Sequence, residues 1–245
     1  MLDITDELKN ILKNDYFPRV DELAPKDLII SFPALGLTIE TDRIVDDSFS
    51  LDEKLCSEED LVFGSCEASQ VKITVADVDQ DLKGLWFTIS QVVNGTTIPL
   101  GTYKVDSCKK QDNLRFKDII AYDKLKDTDV DVSDWYNELF PTGNETYTLA
   151  QFRASLLAYL GIEESPSDFE LTNDDMIIEK TIDPGQISGR AVLQACEEIN
   201  GVFGHIGRDG KFKHIVLEPM YGLYPSDDLY PADDLYPVDE NDTSF

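Results

Sequence analysis

Positive charge is scarce in this chain. Lys and Arg number 21 against 49 Asp and Glu, so the formal charge is −28 at pH 7. Such a surface repels the phosphates of nucleic acids and the headgroups of anionic membranes, which disfavours ordinary binding to either. Solubility and self-repulsion are the plain consequences. Long apolar runs are missing too, and none approaches the ~20 residues that span a bilayer. The start, Met1-Leu-Asp-Ile-Thr-Asp-Glu7, lacks the basic and apolar regions of a secretion signal. Synthesis and folding in a cytoplasm are therefore expected, and the sequons at Asn94, Asn144 and Asn241 read as chance matches. Cys56, Cys66, Cys108 and Cys196 form no C-x-x-C pair. They read as small buried hydrophobes rather than disulfides or ligands. What remains is ordinary. A chain of 245 residues with 42% hydrophobic side chains can bury a real core, which excludes global disorder. The length fits one large domain or two modest ones.

The periodicity changes along the chain. Ile4, Leu8, Ile11 and Leu12 fall on one stripe, which predicts an amphipathic helix over 1–14. From residue 27 the pattern is that of strands, with candidates at 28–32 and 37–39. Ser50-Leu-Asp-Glu53 matches a capping box, which predicts a short helix beginning at Ser50. Residues 70–78 alternate with Val71, Ile73 and Val75 on one side. Residues 84–93 place Leu85, Phe87 and Ile89 on one face, and Asn94-Gly95 is a strong hairpin signal. Pro99 and Gly101 in the return strand suggest an edge position or a bulge. Residues 114–122 put Leu114, Phe116, Ile120 and Tyr122 on one face. Short antiparallel strands at this spacing suggest a small barrel or sandwich.

Helical signals follow. Residues 133–140 can form one or two turns. Thr148 and Gln151 make a capping box for a helix to Gly161, with Tyr147 and Phe152 as the staple and Phe152, Leu156, Leu157 and Leu160 on one face. A strand is expected at 176–182. Ser188 caps a second helix with Val192, Ala195, Cys196 and Ile199 on its stripe. Strands at 202–206 and 211–217 meet through Asp209-Gly210, a primed-turn dipeptide. The end differs in composition. Leu223-Tyr-Pro, Leu229-Tyr-Pro and Leu235-Tyr-Pro begin three six-residue units, and residues 217–245 carry eight acids with no Lys or Arg. Proline at every sixth position excludes a continuous helix or central strand, leaving an acidic linker, a chain of turns or a docking strap.

No motif assigns a chemistry. Asp127, Asp129 and Asp131 with Glu138 imitate a calcium loop, but Val132 stands where the turn requires Gly. Asp77, Asp79 and Asp81 fail at Leu82 for the same reason. His205 and His214 lie on the two arms of one hairpin and are placed to face each other, yet no third ligand sits at zinc spacing. Cys196 lies on an apolar stripe, which argues against a nucleophile. The pairs Glu58-Glu59, Glu163-Glu164 and Glu197-Glu198 point in different directions within each pair. No G-x-S-x-G, H-E-x-x-H, phosphate loop or dinucleotide fingerprint occurs. We assign no catalytic residue, no cofactor and no metal ligand, and expect no enzyme.

The run Ser48-Phe-Ser-Leu-Asp-Glu-Lys-Leu-Cys56 through Cys66-Glu-Ala68 leads into Val71-Lys-Ile-Thr-Val75. Ile98-Pro-Leu-Gly-Thr-Tyr-Lys-Val105 and Phe116-Lys-Asp-Ile-Ile-Ala-Tyr-Asp123 follow. Later come Ser188-Gly-Arg-Ala-Val-Leu-Gln-Ala-Cys-Glu-Glu-Ile-Asn-Gly201 and Gly204-His-Ile-Gly-Arg-Asp-Gly-Lys-Phe212. Over roughly 27–217 this resembles the N-terminal region of the tail-hub, or tail-associated, proteins of phages and prophages of Gram-positive bacteria. The resemblance implies a baseplate hub: a trimeric ring of the chain at the distal end of the tail tube. Small β-barrels would line a DNA channel, with distal-tail and tail-tube proteins as neighbours. DNA would pass in transit without being bound, and a substantial share of the carboxylates would face the ring interior. The chain stops at Phe245, so a shortened chain or a short member is expected. The family assigns no catalytic residue to this region.

The expected architecture is α+β, with small antiparallel β-barrel or sandwich domains and a helical insert. The expected divisions are an N-terminal helix and linker (1–26), a barrel-like hub domain (27–123), a mixed helix and strand domain (124–217) and the acidic tail (218–245). The alternative function is a cell-surface or carbohydrate-binding tail module, using Trp86, Trp135 and the tyrosine-rich tail.

Overall fold

The computed structural model describes residues 26–56, 61–112, 115–181 and 185–217. The expected helix over 1–14 and the Leu-Tyr-Pro repeats lie outside them. Seven strands form one antiparallel sheet: β1 (Lys26–Phe32), β2 (Leu37–Ile39), β3 (Ser50–Asp52), β4 (Gln70–Ala76), β5 (Trp86–Val93), β6 (Thr96–Lys110) and β7 (Phe116–Tyr122). Their order is β2-β1-β5-β6-β7-β4-β3. Asn94 and Gly95 both take positive φ, at 48° and 77°, and set Val93 opposite Thr96. That is the primed two-residue turn expected from the dipeptide.

β6 organises the sheet. Its first half pairs with β5 and its second half with β7. It is therefore central, not an edge, and two register shifts relieve it. One leaves Leu100 unpaired between Pro99 and Gly101, and the other leaves Asp106 unpaired. Gly101 sits at φ 141°, where a Cβ would meet the Tyr103 hydroxyl at 2.7 Å. The first bulge is what admits a proline to a central strand.

The sheet curls without closing into the expected barrel. From Ile39 at the end of β2, the chain reaches Ile44, which bridges Val75 of β4. Five residues span at most about 17 Å, so the two ends of the sheet come near each other. β2 and β3, three residues each, do not pair with one another. Two further expectations are corrected here. Ser50–Asp52 is a strand beside Gln70–Lys72, because pairing with the exposed side of β4 overrides the local capping pattern. In β7 the face bearing Phe116, Ile120 and Tyr122 is the half-exposed one. Lys117, Ile119 and Ala121 point inward, and the Lys117 amine donates to the Gln80 carbonyl at 2.6 Å.

A first core fills the curl, with Phe32, Phe87, Ile89 and Val71 buried. A second core joins α1 (Ser133–Leu139), α2 (Leu149–Tyr159) and α3 (Gly189–Asn200) to the hairpin of β10 (Phe203–Ile206) and β11 (Phe212–Ile215). β8 (Thr146–Thr148) and β9 (Ile177–Glu179) form a short pair at the start of α2. The Thr148–Gln151 capping box is complete, and Tyr147 and Phe152 both stack on Phe140, at 5.4 and 6.2 Å between centroids.

Two side chains tie the regions together. Asp123, just after β7, accepts from the backbone N–H of Ser69 and of Leu125. Arg190 of α3 donates to the carbonyls of Cys66 and Leu125 at 2.6 and 2.8 Å and pairs with Asp129. Without the guanidinium the Cys66 carbonyl loses this donor, while the Leu125 carbonyl keeps only others such as the Thr128 hydroxyl at 2.6 Å. Arg190→Ala is expected to lower the unfolding free energy by about 2–4 kcal/mol. Arg190→Lys, which cannot fork, should recover less than half of that loss. Urea denaturation followed by fluorescence checks both.

Candidate functional site

A cluster of buried and half-buried ionisable side chains converges between α2, α3 and β11. His214 on β11 is 1% exposed. Its Nδ1–H donates to Glu197 of α3 at 2.7 Å and its Nε2–H to Glu164 at 2.9 Å. Glu164 Oε1 also accepts from Nε of Arg153 on α2 at 2.7 Å. Arg153 forks onto Asp174 at 2.7 and 2.9 Å, and Asp174 accepts from Asn200 at 2.9 Å. Two cations thus face three carboxylates. Glu197 is fully buried, and its Oε1 has no hydrogen-bond partner among the described residues.

Burial alone would lower the His214 pKa, but its hydrogen bonds to Glu164 and Glu197 prevail and raise it to about 9. The imidazolium form is the one in which both ring nitrogens donate. Burial pushes the Glu164 carboxyl up, yet His214 and Arg153 hold it below its ordinary value. Asp174 is likewise held low by Arg153 and Asn200 against its own desolvation. The group is a mechanical knot across helix, loop and strand. His214, Glu197 and Arg153 are sealed from solvent, so no substrate reaches their polar atoms.

The sequence pointed elsewhere. His205 and His214 were expected to face each other, as a two-residue loop at Asp209-Gly210 would require. The loop instead has three residues, closed by Gly207 N–H to the Lys211 carbonyl at 2.8 Å, with Gly210 at φ 77°. That moves the register by one residue. His205 lies opposite Lys213 and His214 opposite Gly204, on the other face. On α3 the buried positions are Val192, Leu193, Cys196 and Glu197, while Ala195 is exposed. Glu197, one turn after the buried Leu193, is the core-facing acid that the expected stripe hid.

The other candidates have structural duties. Asp127 pairs with Lys104 and Asp129 with Lys126 and Arg190, while Asp131 accepts from the Ser133 and Ile187 N–H groups. Asp77 pairs with Arg115. Among the described residues no group of three His, Cys, Asp or Glu side chains is placed to hold a metal ion. Cys66 and Cys196 are buried, with burial pushing the Cys196 thiol up to about 12, whereas Cys56 and Cys108 are half-buried. Asp123 lines a shallow cavity of about 250 Å³ with Lys104 and Tyr122, and burial lifts its pKa to about 6. Both its oxygens are engaged by backbone N–H groups. Trp135 is buried, donating to Ser155 at 3.1 Å. Trp86 is half-buried under the Lys104 amine, 5.6 Å from its centroid.

The fold has known relatives. The chain is similar in structure to the 43 kDa tail protein of prophage MuSo2 from Shewanella oneidensis, with a TM-score of 0.52 and 13% identity over 79% of this chain and 56% of that one. A tail protein from Neisseria meningitidis MC58 matches at a TM-score of 0.49 and 14% identity, over 77% of this chain and 50% of that one. Prophage tail protein gp18 from Listeria monocytogenes EGD-e matches at 0.47 and 13%, with the same coverage. The chain therefore spans about half the length of these proteins. No protein-family model matches it, and no curated protein matches it in sequence. At such identities the first likeness establishes a shared fold.

The knot dictates a pH dependence. The folded pKa of His214 lies above its unfolded value, so its contribution is complete below about 6.5 and is lost as pH rises through about 9. Glu164 and Asp174 are depressed in the fold. Their contributions are present above their unfolded values and fade as pH falls through the folded ones. Stability should fall between pH 7 and pH 9 in the native chain and stay flatter there in His214→Gln. Denaturant unfolding across pH, with an NMR titration of the His214 ring, checks this.

Proposed function

We propose that this chain is a structural component of a phage or prophage tail that builds the baseplate hub around the DNA channel. The observation that carries the reading is the fold, shared over most of the chain with the MuSo2 tail protein. The character of the interior supports it. The cluster of His214, Glu197 and Arg153 with Glu164 and Asp174 has a sealed centre and holds elements together, as suits a part that bears load rather than one that turns over substrate. The acid excess supports it as well. DNA crossing a narrow passage must not adhere to the wall, and carboxylates repel its phosphates. In this reading the chain forms a ring with copies of itself, three by the sequence resemblance, and meets distal-tail and tail-tube proteins.

Immunogold electron microscopy of tailed particles, with antibody against this chain, tests the reading. Label at the tail tip is expected. Label confined to capsids, or free protein with no particle association, overturns it. Glycan-array binding by the isolated chain without any tail label would favour the cell-surface module instead.

A further inference from the structure

The charge of this chain is unevenly spread. Residues 104–126 hold seven of the 21 Lys and Arg but four of the 49 Asp and Glu. The sheet register places two of those seven, Lys104 and Lys109, on one face together with Lys72, while Lys117 points inward. Residues directly opposite each other across an antiparallel pair project to the same face. The outward side of β4–β7–β6 and its neighbour β5 therefore carries three rows. Gln70, Tyr122, Lys104 and Trp86 form the first, Lys72, Ile120 and Ser107 the second, and Thr74, Asp118 and Lys109 the third. The alternate residues Val71, Ile73, Ile119 and Ala121 fill the core beneath. Lys72 and Lys109 are exposed and form no ion pair with the described residues, while Tyr122, Ile120 and Trp86 are half-buried between the amines. Asp118, the acid among them, already accepts from Thr74 and Gln111.

A second patch has the opposite character. A groove of about 350 Å³ is rimmed by Asp27, Glu40 and Asp42, with Ile29 and Val92 between them. It lies on the outward side of β1 and β5. β7 and β1 are separated by β6 and β5 one way round the curl, and by β4, β3 and β2 the other. One copy therefore presents the two patches in different directions.

We propose that the outward face of β4–β7–β6 receives the acidic β1–β5 groove of a second copy of this chain. Each side offers apolar surface framed by charge, and the signs are opposite. In a chain of −28 most meetings between copies are repulsive. The face that concentrates cations is where a second copy is attracted. Because the two patches differ, the contact is head to tail, and such contacts close into a ring when the rotation permits. The ring rests on the function proposed above; the contact itself does not.

Sedimentation velocity of the full chain tests it, with Lys72→Glu/Lys109→Glu and Asp27→Lys/Asp42→Lys as paired variants. All four side chains are exposed, and circular dichroism verifies the fold. The native chain should self-associate near physiological ionic strength, where long-range repulsion is screened, and less at about 1 M salt, where the contact charges are screened too. Each double variant alone should associate about tenfold or more weakly. Mixing the two should restore association, since the groove left intact in one meets the cationic face left intact in the other. A native chain that stays monomeric near physiological ionic strength, or variants that associate like it, overturns the proposal. So does low-salt binding of single-stranded DNA that the lysine variant abolishes while self-association persists. Binding of both variants to a tail-tube or distal-tail protein is measured separately. The tail reading survives if that binding holds while the contact fails.

Discussion

Each cation in this chain has more than two carboxylates available to it, with 21 bases against 49 acids. Where the cations are buried therefore says which joints the fold depends on. Arg153 gathers Glu164 and Asp174 from two loops onto α2. His214 pins β11 to α3 and to the Glu164 loop at once. Arg190 is spent on two backbone carbonyls and one acid, at the seam between the sheet and the helices. Lys117, inside the curl, holds the loop that carries Gln80. A buried ion pair adds little net stability compared with a packed apolar pair, but its loss is costly because the abandoned charge stays buried. These groups act less as glue than as determinants of which surfaces meet.

The sheet depends on a different constraint, the length of β6. A strand of 15 residues cannot stay flat, since strands twist and successive neighbours rotate. β6 resolves this by changing partners along its length, with an unpaired residue at each register shift. The bulges bend the strand and let the sheet wrap Phe32, Phe87 and Ile89 into one interior. The wrap stops short of closure, since β2 and β3 do not pair with one another. Thr41 then covers part of the exposed edge of β1, its hydroxyl accepting from the Leu28 N–H at 2.7 Å and donating to the Leu28 carbonyl. A covered edge does not recruit stray strands.

Local chemistry made much of this legible. The Asn94-Gly95 turn, the Thr148 box and the Ser188 cap are decided within four residues of sequence, and each stands where the residues put it. What failed was decided by distant partners. Ser50 carries a good helix start, yet the exposed side of β4 needed a neighbour. On β7 the aromatic residues made one face look internal, while the curl selected the face with Ile119 and Ala121 and accommodated Lys117 with a carbonyl. At the Asp209-Gly210 turn, one additional loop residue reversed the side on which His214 lies, and with it the ring's contacts with Glu164 and Glu197. The knot was out of reach because its members come from 153, 164, 174, 197, 200 and 214, and no local pattern links those positions.

The surplus of acid and the need to assemble pull in opposite directions, and screening decides between them. At physiological ionic strength the Debye length is about 8 Å, so repulsion between the far surfaces of two copies is largely lost. Charges within a contact are closer than that and keep most of their interaction. A chain of this composition can therefore carry a strongly negative exterior and still associate, provided that its few free cations are concentrated rather than scattered. Lys72 and Lys109, on adjacent rows of one face beside half-buried Tyr122 and Ile120, meet that requirement. Spread evenly over the surface, the same lysines would lower the net charge of every region a little and attract nothing.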